Sequence, residues 1–123
     1  MNIVSDCILP IYDAKFVLIA GKDDKFLKEK LKKRVGDNTS SLFDIDRQAG
    51  STQAFNCTKN GITRRVFAIR IVDTSNDIAM THEAIHCAWD ILHDRGVIID
   101  YNNHEALTYL VDYLVRIMKM MMK

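Results

Sequence analysis

The order of hydrophobic and polar positions divides the 123-residue chain into segments of different period. Residues 8–20, ILPIYDAKFVLIA, contain the β-prone run Phe16-Val17-Leu18-Ile19 and stop at Gly21, which predicts an extended, buried segment. In residues 23–35, DDKFLKEKLKKRV, Leu27 and Leu31 stand one turn apart among lysines. That spacing predicts a short helix, capped by Asp23 or Asp24 and ended by Gly36. Residues 37–51 have turn composition and no period, as expected of a lid, a binding loop or a mobile segment. Two β-prone runs follow, 52–58 and 63–73, joined by Lys59-Asn60-Gly61-Ile62; Asn-Gly between such runs predicts a hairpin. In the second run Phe67, Ile69 and Ile71 share one face, and Val66, Ala68 and Arg70 the other.

The period then changes to that of helices. Thr74 or Ser75 is expected to cap a helix over 76–95, closed by Gly96, with Ile85, Trp89 and Leu92 as its apolar side. After VIID, a last helix is predicted over 103–120, with Leu107, Leu110, Val111, Leu114 and Met118 as its stripe. Strand, helix, hairpin, helix, helix is an α+β order, with a small mixed sheet packed against two helices and mostly built before them. One domain over 1–123 is expected, sheet-rich over about 8–73 and helical over about 76–120.

Composition narrows the class. With 48% hydrophobic and 27% charged residues, the chain has enough apolar material for a core and is too apolar for a disordered segment. A net charge of +1 gives no global attraction to nucleic acid or to a membrane. Seven basic residues do fall within 22–34; a solvated helix face is the preferred reading, with an acidic or nucleic-acid partner as the alternative. Cys7, Cys57 and Cys87 form no CxxC pair and read as reduced thiols. No signal-like leader and no spanning segment are seen, so the expected location is the cytoplasm of the producing or infected cell. Oligomeric state is left open.

Four histidines, His82, His86, His93 and His104, fall in one window, and His82-Glu83-Ala84-Ile85-His86 is H-E-x-x-H. On a helix the two histidines of the motif are about 40° apart in rotation and about 6 Å in rise, so their imidazoles can converge on one zinc ion. Glu83 lies about 100° round, beside the metal, where a carboxylate can take a proton from an activated water. Cys87 points off that face and reads as a buried small residue. His93 is about 10 Å further along the axis, too far to share the ion easily. Asp90, one turn beyond His86, could orient a histidine, although a solvated residue is the simpler reading. A third histidine after a glycine turn is excluded, since Trp89 and Leu92 stand where that motif needs Gly and His.

HEAIH, followed 19 residues after His86 by Glu105 in H-E-A-L-T-Y-L-V, resembles the gluzincin branch of the zincin metallopeptidases. It is also similar to short stand-alone HExxH proteins predicted in tailed-phage genomes. The likeness covers about residues 76–118. It implies a minimal zincin-like fold, with zinc on His82, His86 and Glu105 and with Glu83 as general base. A downstream transition-state donor has no clear counterpart; Tyr109 ranks first, ahead of Tyr101 and His93. Tyr109 also stands where the family often has an aspartate. Periodicity pulls the other way on the third ligand: the stripe of the last helix is centred almost opposite Glu105, and His104 lies nearer its edge. His104 is therefore the alternative. The resulting expectation is a zinc-dependent peptide hydrolase whose peptide or protein substrate lies along an edge strand, either 52–58 or 63–73. A non-enzymatic zincin-like host-interaction or assembly protein, with a structural or vestigial metal site, is the alternative.

Overall fold

The computed structural model describes residues 1–36, 42, 43 and 49–123. Most of the expected loop 37–51 therefore lies outside the described residues. Four strands form one sheet: β1 (Ile3–Leu9), β2 (Ala14–Ala20), β3 (Gly50–Lys59) and β4 (Ile62–Ile71). Its order is β1-β2-β4-β3. The β1/β2 and β3/β4 pairs are antiparallel, and β2 and β4 run parallel down the middle. Three helices join the sheet among the described residues: α1 (Asp24–Val35), α2 (Asp77–Asp94) and α3 (Glu105–Met121). The protein is a single small α+β domain with a mixed sheet.

Alternation sorts the side chains of the central strands to two cores. Phe16, Leu18 and Ala20 of β2 join Phe67, Ile69 and Ile71 of β4 under α2 and α3. Val17 and Ile19 join Val66 and Ala68 under α1, with Leu42 and Phe43. Both faces of β2 and β4 are thus covered, which is why their sequences are near-continuous apolar runs. Arg70 shares the α1 side. It is 2% exposed, with Nη2 donating to the Gly21 carbonyl (3.0 Å) and to Asp24 (2.6 Å), and its guanidinium packs against the Phe43 ring.

Several predicted boundaries move, each for a local reason. The extended segment 8–20 is two strands, and the sheet begins at Ile3; Pro10 to Asp13 make the turn, with Asp13 at φ 47°. Asp6 hid the first strand by breaking its apolar run, yet its carboxylate is held by Lys15 of β2 and Arg34 of α1. The β3–β4 turn is as predicted: Asn60 and Gly61 both take positive φ, which a two-residue hairpin turn of this hand requires. Asp23 caps α1 and Gly36 ends it. The cap of α2 is Asn76, not Thr74 or Ser75, because Ser75 is turned back to donate to Asp73. The last helix starts at Glu105, since Asn102 and Asn103 donate instead to the carboxylate of Asp100. No helix among the described residues is long and apolar enough to cross a membrane.

Candidate metal centre

Helix α2 lies on the sheet with Ala79, Met80, Ala84, Cys87, Ala88, Ile91 and Leu92 buried. Small residues on this face let the helix approach the sheet. The predicted apolar side is only partly right: Leu92 is buried, whereas Ile85 and Trp89 are exposed. Cys87 is buried, and burial pushes its thiol well above the ordinary value, so it is no ready metal ligand.

The opposite side of α2 carries His82 and His86, both exposed. Their Nε2 atoms stand 3.1 Å apart, with the rings edge to face. Two nitrogens bound tetrahedrally to one zinc at 2.0–2.1 Å would be about 3.3–3.4 Å apart. The pair therefore fits a zinc ion with little rearrangement.

Glu83 lies between these two sides, only 7% exposed. It is met there by β3. Thr52 shares the face of β3 that looks toward α2, and its hydroxyl stands 2.8 Å from Glu83 Oε1 and 3.1 Å from the Glu83 carbonyl oxygen. The hydroxyl can donate to either. Gly50, two positions earlier on the same face, leaves room for the stem of Glu83: a Cβ there would come within 3.0 Å of Glu83 Cγ. The sheet order makes β3, not β4, the edge strand, which decides between the two segments considered from sequence.

Between the start of β3 and α2 lies a cleft of about 650 Å³. His82, Glu83, His86 and Asp90 line it from the helix, and Gly50, Ser51 and Thr52 from the strand. Asn76 and Ile78 close one end. The cleft, its histidine pair and its partly sunken carboxylate form one continuous surface.

The chain matches no protein-family model, no curated protein and no solved structure.

The remaining predicted residues stand elsewhere. Glu105 opens α3 and is exposed; His104, just before it, is exposed with its ring centroid 6.2 Å from that of Tyr101. Tyr109 is 68% exposed. None of the three lines the cleft. His93 lines a separate depression with Trp89 and Ile98. Among the described residues, no cluster of three or more His, Cys, Asp or Glu side chains is arranged to hold a metal ion. Among the described residues, Asp90 is the one further acid in the lining of the cleft. Thr52 and Gly50 escaped the sequence reading: alternation puts Thr52 on the face of Ala54, but only the packing of α2 shows that Glu83 meets that face.

Proposed function

We propose that the protein is a zinc-dependent peptide hydrolase of zincin-like architecture. The observation that carries this reading is the paired Nε2 atoms of His82 and His86, 3.1 Å apart in a cleft that also holds Glu83. His82 and His86 would hold the ion. Glu105 is the third ligand that the resemblance implies, with His104 as the alternative, and Asp90 is the acid already in the cleft. Zinc, when bound, acidifies a water and polarises a carbonyl.

The chain's own residues supply the rest. Glu83 accepts a proton in the cleft and returns it to the departing amine. Thr52 limits the rotation of that carboxylate, so its free oxygen keeps one direction. β3, an edge strand among the described residues, would offer N–H and C=O groups to an extended peptide, and Gly50, Ser51 and Thr52 bring that edge to the cleft. Tyr109 is the proposed donor to the developing oxyanion, and it would have to reach the cleft from α3.

The test has two readings. Purified protein should take up about one zinc per chain, and His82→Ala or His86→Ala should abolish uptake. Glu83→Gln should keep zinc and fold but lose hydrolysis of an unstructured protein such as casein, by about a hundredfold or more. Zinc uptake without hydrolysis by the wild type would favour the second reading, a non-enzymatic zincin-like protein with a structural or vestigial metal. Two histidines with no third ligand among the described residues are what keep that reading in view. No zinc uptake at all would end both.

A further inference from the structure

Helix α1 covers the other face of the sheet, and its last turn meets the β3–β4 hairpin, where Lys59 Nζ lies 3.5 Å from the Lys33 carbonyl. Beside that contact, the described residues form a groove of about 270 Å³. Strand alternation brings Lys15 of β2, Lys59 of β3 and Arg64 of β4 to it, and the last turn of α1 adds Arg34. Val35, Ile62 and Val66 give it an apolar wall, and no carboxylate lines it among the described residues.

The charges here do not cancel. Among the described residues Asp6 is the one well-placed acid, and two of the four cations share it: Lys15, and Arg34 at 2.7 Å. Arg64 reaches Asp13 only at 3.5 Å, and that carboxylate is 85% exposed, so the pair is weak. Lys59 is 3.5 Å from the neutral carbonyl of Lys33. Among the described residues, four cations against Asp6 and Asp13 leave an excess of two, in a chain whose whole formal charge is +1. Like charges held together repel unless an anion sits among them. Asp6 fixes two of them in place, which lowers the ordering cost of binding.

We propose that this groove binds the phosphate group of a small organic phosphate, with an apolar body such as a nucleoside against Ile62, which is 70% exposed. Two guanidinium forks and two ammonium groups suit a phosphate, which offers acceptors on several sides. A groove of this volume at one corner of the molecule suits a single small ligand better than a long polyanion. Its position, on the far face of the sheet from the histidines, makes it independent of the metal centre.

The isotope-labelled full chain, titrated with adenosine monophosphate in about 0.15 M salt, tests this by amide chemical shifts. Expected are saturable shifts at Lys15, Arg34 and residues 59–66, weaker shifts at the same places with inorganic phosphate, and none with adenosine. Lys59→Gln/Arg64→Gln, at exposed positions near the hairpin turn, should weaken adenosine monophosphate by about tenfold or more. The single variant Lys59→Gln serves if the double variant does not fold. Shifts that never saturate, or that spread along the exposed lysines of α1, would overturn the proposal. So would unchanged affinity in the variants. Binding of a single-stranded oligonucleotide with no response to the monophosphate would assign the surface to nucleic acid instead.

Discussion

Thr52 contributes one hydroxyl to a carboxylate that has little water around it. Glu83 is 7% exposed, and Thr52 is the side-chain partner of its Oε1. Replacing Thr52 by Val keeps the shape and removes the donor, so a buried acceptor loses its partner. The expected cost is about 1–3 kcal/mol in urea unfolding, with Thr52→Ser close to wild type. If Glu83 is the general base, Thr52→Val should also reduce turnover more than substrate affinity, because on that proposal the peptide would meet the strand backbone and not this hydroxyl. Equal stability of Thr52→Val and wild type would show that the hydroxyl holds nothing.

Elements differ in how much of them the sequence shows. Helix α1 is legible because cap, leucine spacing and glycine stop agree, and the β3–β4 hairpin because Asn60-Gly61 names its turn. The first strand is not, since Asp6 looks like a break until Lys15 and Arg34 are seen around it. The histidine pair of α2 is legible because i and i+4 spacing is local. The source of the third ligand that the proposed zinc site would need is not, because it depends on how α3 packs, and the helical stripe and the resemblance to gluzincins point to different residues. Competition settles it by zinc titration of three variants. On the gluzincin reading, Glu105→Ala loses zinc affinity well beyond the ~10–100-fold of an indirect effect, and His104→Ala loses far less. Loss in His104→Ala alone would make the site three histidines. Loss in Asp90→Ala alone would place the third ligand on α2 itself.

Across the whole molecule, Asp6 ties β1 to β2 and to α1. Burial raises its pKa, but hydrogen bonds and charges from Lys15 and Arg34 outweigh that and hold it below its ordinary 3.8. A carboxyl depressed in the folded state contributes stability above its unfolded value, and that contribution fades as pH falls through the folded value. Asp6→Asn should therefore be less stable than wild type at neutral pH. The gap should begin to close near pH 4 and shrink further below it, as followed by urea midpoints across pH. A gap independent of pH would mean that shape, and not charge, is what Asp6 supplies.

The parallel pairing of β2 with β4 carries a kinetic consequence. Each antiparallel pair joins neighbours in the chain, so two hairpins can form locally and early. The seam between them, from Lys15 beside Val66 to Ala20 beside Ile71, joins residues 51 apart in sequence. Closing it sacrifices the freedom of everything between, and little is gained until both faces are covered. The late event in folding is thus the docking of two half-sheets along a single line, and the Glu83–Thr52 contact between α2 and β3 does not wait for it. The histidine pair, Glu83 and Thr52 belong to the half from Gly50 onward, so the geometry of their cleft can assemble before the protein has chosen its final shape.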